Sequence, residues 1–167
     1  MSTQVGTITI ENNRATLNFS RFINASPTQV WEAIVNPNKF GTWYNATAEI
    51  EPKEGGMFTV HSGPFTWKGK VVNWEPEHLF KYEHNHEAVT EMPTGAETIV
   101  TWTLQPKDDG TELTFTQSGL PSTAGFAPGT HVVIDRLVAF IEGKDMPDFE
   151  GFYNEVEPLY TVWNMEA

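Results

Sequence analysis

Apolar and polar residues alternate along most of this chain, and the few breaks in the alternation mark its elements. Residues 7–11 and 15–23 both alternate and are rich in β-formers, and the Asn12-Asn13 pair between them tolerates positive φ, so the pattern predicts a hairpin. Ser26-Pro27-Thr28-Gln29 has the form of a capping box, with serine as N-cap, proline at the first helical position and glutamine three residues on. The helix it opens puts Val30, Ala33 and Ile34 on one face. It must end near Asn36, because Pro37 disfavours helical geometry in the residue before it. A second short helix or turn at 37–41 delivers Trp43. From there alternating segments recur at 46–51, 57–62, 65–74, 79–86, 97–105 and 111–118. Gly55-Gly56, Gly63-Pro64, Glu75-Pro76, Pro93-Thr94-Gly95 and Asp108-Asp109-Gly110 supply the turns. Short spacing with turn residues predicts an antiparallel meander rather than βαβ units.

Residues 129–142 switch to helical period. At about 100° per residue, Val133, Ile134, Leu137, Val138, Phe140 and Ile141 fill an arc of about 160°. His131, Asp135 and Glu142 fall on the opposite side, which predicts a surface pair for His131 and Asp135. Gly143 is placed to stop the helix. One apolar sheet face and one long amphipathic helix bury each other best in an α+β fold. In it, a curved antiparallel sheet of six or seven strands wraps the helix.

Composition adds limits. At 167 residues, with 39% hydrophobic and 19% charged positions, one soluble domain is expected. A net charge of −12 argues against nucleic acid and anionic membrane surfaces. Without cysteine, disulfides and thiolate chemistry are excluded. The N-terminus lacks the basic and apolar regions of a secretory signal, and no apolar stretch nears the ~18 residues of a membrane span, so a cytoplasmic location is expected. The domain is expected over 1–143. Residues 144–167 carry Phe149, Phe152, Tyr153, Tyr160 and Trp163 amid six Asp/Glu. So aromatic an extension is expected to pack on the domain or on a second subunit, a homodimer.

Several separated pieces fall in a recognisable order: Arg21, Ala25-Ser26-Pro27, Val30-Trp31, Ala33, Trp43, Gly55-Gly56, Phe58, Gly69, Val71, Gly110-Thr111, Leu113, Phe115, Ser118-Gly119-Leu120 and Ile134-Asp135-Arg136-Leu137. Over roughly residues 7–143 this framework resembles the family named after the activator of the heat-shock protein 90 ATPase, of the START/SRPBCC superfamily. The resemblance implies a helix-grip (START-like) fold. It says much less about the activity, because that fold hosts many functions.

Candidate chemistry centres on Phe80-Lys81-Tyr82-Glu83-His84-Asn85-His86. Period two puts Tyr82, His84 and His86 on the face of apolar Phe80. His84 and His86, with Glu87 or Glu97, sketch part of a metal site. The ligand set is incomplete, so no metal and no cofactor are expected. Gln117 continues the parity of Leu113 and Phe115 and should also face inward, where its amide needs a partner. In many members of the family it resembles, histidine stands at this position, so the departure weakens any acid–base role carried over to Gln117. Trp67, Phe65 and Phe80 are further aromatic candidates, whereas Trp31 and Trp74 read as core. The expected ligand-binding set is Trp43, Phe58, Tyr82, His84, Trp102, Phe115 and Gln117, with Leu137 and Ile141 on the opposite wall. The expected function is binding of a small hydrophobic or aromatic molecule without catalysis. The alternatives are a cyclase- or hydrolase-like enzyme in the same cavity, with His84 and Tyr82 or Gln117 as its acid–base pair, or an interaction domain that regulates a chaperone ATPase.

Overall fold

In the computed structural model, which describes residues 4–63, 65–86, 98–121 and 126–160 (apart from the side chains of Phe65, His86 and Pro121), local sequence signals explain most element boundaries. Asn12 and Asn13 both adopt positive φ, 53° and 62°, and reverse the chain between β1 (Thr7–Glu11) and β2 (Arg14–Ile23). The capping box forms at the start of α1 (Pro27–Val35). The Gln29 N–H donates to Ser26 Oγ at 3.2 Å, and the Ser26 N–H donates to Gln29 Oε1 at 3.0 Å. Asn36 ends α1 and caps α2 (Pro37–Tyr44), its side chain accepting from the N–H groups of Asn38 and Lys39.

Next come β3 (Thr47–Ile50), β4 (Met57–Ser62), β5 (Phe65–Glu75), β6 (Leu79–Glu83), β7 (Asn85–His86), β8 (Ile99–Lys107) and β9 (Gly110–Pro121). The strands form one curved antiparallel sheet in the order β1-β2-β9-β8-β6-β5-β4-β3, with β7 paired to β5. Its eight-strand path exceeds the six or seven strands expected. All eight strands of the path coincide with alternating segments of the sequence, and β1 of the N-terminal hairpin and the short β3 form its two edges. The long β5 serves both halves of the sheet, pairing with β4 and β7 early and with β6 late. Gly69 permits the close approach there, because an added Cβ would lie 1.8 Å from the Glu83 carbonyl oxygen.

Register lines up the inward residues in rows. Phe80, Trp102, Phe115 and Phe19 form one row across β6, β8, β9 and β2, and Tyr82, Val100, Gln117 and Leu17 form the next. Against this concave face lies α3 (Ala127–Ile141). The helix stops at Gly143 (φ 72°) in a Schellman arrangement, with Lys144 N–H donating to Ala139 O and Gly143 N–H to Phe140 O. The chain then returns along α3 as α4 (Phe149–Val156) and a 3-10 turn at Glu157–Tyr160, burying Phe152, Val156 and Tyr160. The aromatic residue Trp163 lies outside the described residues. A sheet gripping one long helix is the helix-grip fold. No helix among the described residues is long and apolar enough to cross a membrane.

The return of the chain corrects one expectation. His131 and Asp135 are not a surface pair: their exposures are 0% and 4%. The side of α3 that periodicity assigned to solvent is covered by β2 and by the C-terminal segment. Arg21, inward-facing on β2, donates from Nε to Asp135 Oδ1 at 3.0 Å and from Nη1 to Ser20 O at 2.8 Å. Asp135 Oδ2 lies 3.3 Å from His131 Nε2, and His131 Nδ1 lies 2.7 Å from Tyr160 Oη. Tyr160 Oη accepts the Gly6 N–H at 3.1 Å. The contacts among Gly6, Tyr160, His131 and Asp135 are mutually consistent when the phenol donates to Nδ1 and the Nε2–H donates to Asp135, while Arg21 Nη2 is buried without a hydrogen-bond partner among the described residues. Burial pushes the Tyr160 phenol up, and the nearby Asp135 adds to the rise, while the Gly6 N–H and Arg21 oppose it.

Removing one member of a buried ion pair strands the other charge, whereas removing both relieves the desolvation cost. Arg21→Met and Asp135→Leu are each expected to lower stability by about 3–5 kcal/mol, and the double variant by less than either alone. Urea unfolding of the four proteins measures this. Additive losses would contradict the pairing.

Candidate functional site

The alternation on β6, β8 and β9 brings Tyr82, His84, Val100, Trp102, Phe115 and Gln117 to the concave face, and all six are buried. At one end of this face the packing opens. A cavity of about 460 Å³ lies between the sheet and the first turns of α3. Its sheet side is Ser62, Trp67, His84 and Gln117; its helix side is Phe126, Gly129, Thr130 and Val133. Tyr44 and Asn45, at the end of α2, and Phe149, at the start of α4, complete the lining. A smaller cavity of about 40 Å³ adjoins it, lined by Tyr82, Trp102, Phe115 and Ile134 among others. The two share Tyr44, His84, Gln117, Thr130 and Val133.

The wall is aromatic where the strands supply it. Trp67 packs edge-on to Tyr44, with ring centroids 5.1 Å apart, and tilts against His84 at 4.9 Å. The His84 backbone is held on both sides by Thr98: its N–H donates to Thr98 O at 2.8 Å, and its carbonyl accepts from the Thr98 hydroxyl. The His84 ring meets Gln117, whose Nε2 lies 3.2 Å from Nδ1. An amide NH₂ can only donate, so Nδ1 accepts and the neutral His84 carries its proton on Nε2. Burial pushes the Tyr44 phenol well above its ordinary range, with neighbouring Tyr82 adding to the rise. Burial likewise pushes the Tyr82 phenol up, opposed by the Trp102 Nε1–H that donates to its hydroxyl at 3.1 Å. Such surroundings disfavour anions.

The expected site residues divide into two groups. His84 and Gln117 line the main cavity, and Tyr82, Trp102 and Phe115 line the smaller one beside them. Trp43 and Phe58 are core residues instead. Trp43 is fully buried and donates from Nε1 to Ala33 O at 2.8 Å, satisfying a carbonyl in the last turn of α1. Leu137 is fully buried in the core and Ile141 packs at its margin, and neither lines these cavities. The opposite wall is formed by Thr130, Val133 and Ile134, on the same stripe of α3 but one to two turns earlier. Helical phase was read correctly; the position along the axis depends on where the helix crosses the sheet.

Sequence reasoning did not place Tyr44, Asn45, Ser62, Phe126, Thr130, Val133 or Phe149 in the site, although Val133 was read on the apolar arc of the helix and Phe149 among the aromatics of the extension. Trp67 carried a signal, sharing the inward parity of Gly69 and Val71, but Phe126 and Phe149 join the wall only through tertiary packing. Of the sketched metal ligands, Glu87, Glu97 and the side chain of His86 lie outside the described residues. Among the described residues no group of three or more His, Cys, Asp or Glu could hold a metal ion.

Comparison with known proteins locates this architecture. The model of the family described as activator of Hsp90 ATPase homolog 1-like protein matches residues 24–142. The crystal structure of CalU16 from Micromonospora echinospora superposes with a TM-score of 0.74 at 19% identity, covering 96% of this chain and 99% of that one. Protein MLL2253 from Mesorhizobium loti gives 0.69 at 24% identity, covering 78% and 98%. EF2215 from Enterococcus faecalis, a conserved protein of unknown function, gives 0.69 at 18% identity, covering 95% and 91%. At these identities the likeness speaks for the fold alone. No curated protein matches the chain.

The division between core and cavity wall is testable on one helix. Leu137→Ala is expected to cost about 2–5 kcal/mol, because its neighbours cannot collapse into the space it leaves. Val133→Ala, which enlarges an existing cavity, should cost less than half as much. Equal losses in chemical denaturation would show that Val133 is packed as tightly as Leu137.

Proposed function

The chain belongs to the activator of Hsp90 ATPase homolog 1-like family, and on that premise we propose that it binds a small hydrophobic or aromatic molecule in the cavity between sheet and α3, without catalysis. The observation that carries this reading is the cavity itself. Its volume of about 460 Å³ falls within the ~300–1,000 Å³ of small-molecule sites, and its walls are mostly apolar with a few placed polar groups. Trp67, Tyr44, Phe126 and Phe149 offer rings to a ligand, and His84 and Gln117 supply the polar end.

Catalysis in the same space is the weaker reading. Burial keeps the Tyr82 phenol protonated, so it is not poised to act as a base near neutral pH, and His84 Nδ1 is already bonded to the Gln117 amide. The chaperone-regulating and homodimer readings rest on the resemblance and on the tail's composition, and the cavity favours neither.

Native mass spectrometry of the purified protein is expected to reveal a co-purified small molecule. A broad panel of apolar compounds should also perturb tryptophan emission through Trp67. Val133→Trp, which places an indole inside the cavity, should abolish that response while keeping the fold. A panel without effect on fluorescence or calorimetry overturns the binding reading.

A further inference from the structure

Gln117 is a polar side chain in an apolar row. It sits on β9 between Val100 of β8 and Leu17 of β2, and only 6% of its surface is exposed. Its Nε2 is committed to His84 Nδ1. That bond commits one end of the amide, and Oε1 accepts no hydrogen bond among the described residues. The residue stands where the two cavities meet. A carbonyl oxygen so placed is a hydrogen-bond acceptor open to a donor from a molecule in the cavity.

The charge around it is equally restrictive. Neither Lys, Arg, Asp nor Glu lines the main cavity among the described residues, and an ion buried without a counter-charge loses hydration uncompensated. The cavity's own phenol, Tyr44, is held neutral by burial. The wall beside Gln117 is aromatic, built from Trp67 and the His84 ring, whose planes are inclined at 41°.

We propose that the cavity selects uncharged hydroxyaryl molecules, whose O–H donates to Gln117 Oε1 while the ring packs against Trp67. This rests on the ligand-binding reading above and narrows it to one chemical class. A methyl ether of the same ring system fills the space but brings a methyl group to the carbonyl oxygen. A carboxylate of the same ring system brings an acceptor and a charge.

Isothermal titration calorimetry of the full chain at pH 7 tests this with 2-naphthol, 2-methoxynaphthalene, naphthalene and 2-naphthoate. The naphthol is expected to bind about tenfold more tightly than its ether and than naphthalene, the effect of one hydrogen bond in a buried site. The naphthoate should bind at least about tenfold more weakly than the ether, for want of a counter-charge. In Gln117→Met the naphthol and its ether should become equal, with the ether's affinity retained. If the naphthol and ether bind wild type equally, or if the preference survives in Gln117→Met, the inference is overturned while the binding reading stands. A Gln117→Met variant that fails to fold leaves the wild-type comparison to decide. If none of the four binds but other apolar compounds do, the hydroxyaryl class is wrong. If nothing apolar binds at all, the underlying reading has failed as well.

Discussion

A guanidinium buried on a β-strand sets the terms for this fold. Arg21 occupies an inward position on β2 whose neighbours on the same face are Leu17, Phe19 and Ile23. Its guanidinium carbon lies 5.8 Å from the Phe19 ring centroid, and its register neighbour on β9 is Leu113. A charge in such surroundings demands a hydrogen-bonded counter-charge, and among the described residues Asp135 on α3 supplies it. Meeting that demand fixes both the rotation of α3 and its position along the sheet. A slip of one residue would turn Asp135 away and strand the arginine. The pair therefore acts as a register mark between sheet and helix, which is the best-attested use of a buried ion pair.

Other placements follow from this one. With Asp135 held, His131 lies one turn earlier on the same side of α3, between Phe19 of the sheet and Phe152 and Tyr160 of the C-terminal segment. Its ring links the carboxylate to the Tyr160 hydroxyl, and the hydroxyl reaches the backbone of Gly6. The network thus spans the approach to β1, β2, α3 and the 3-10 turn. Arg136, on the next residue, works outward: it donates to the carbonyls of Trp43 and Pro147, tying the end of α2 and the approach to α4 to the same helix. Hydrogen bonds to carbonyls at a helix C-terminus satisfy groups the helix itself leaves open.

The cavity exists because these ties act mainly on the middle and end of α3. Around Leu137 the helix is fully packed, whereas at Thr130 and Val133 the sheet's inward residues change from Phe and Trp to His84 and Gln117, and a space is left. The C-terminal segment contributes directly to that space, since Phe149 at the start of α4 is part of its wall. The extension is therefore joined to the candidate site, and what holds it in place also shapes the cavity. Within a fold that serves many functions, the individual features here are the neutral aromatic wall and the amide at its inner end.

The sequence by itself determined the elements and the faces they present. The Asn-Asn turn, the capping box, Pro37 and Gly143 act through the local backbone, and the alternation on β6, β8 and β9 correctly turned Tyr82, His84, Trp102, Phe115 and Gln117 inward, because pleating is a local property. Tertiary structure decided where along its axis α3 crosses the sheet, and so made Thr130 and Val133, rather than Leu137 and Ile141, the facing wall. It also decided that Trp43 and Phe58 fill the core while Tyr44 and Trp67 face the cavity, since all four are inward aromatics that periodicity cannot separate. The burial of His131 and Asp135 was beyond a helical-wheel argument, which counts one apolar face and assigns the rest to water. That helix is covered on both sides, and the cover comes from a strand 114 residues away in sequence and from a tail 29 residues away. Only contact at such separations could reveal that the polar face was a buried one.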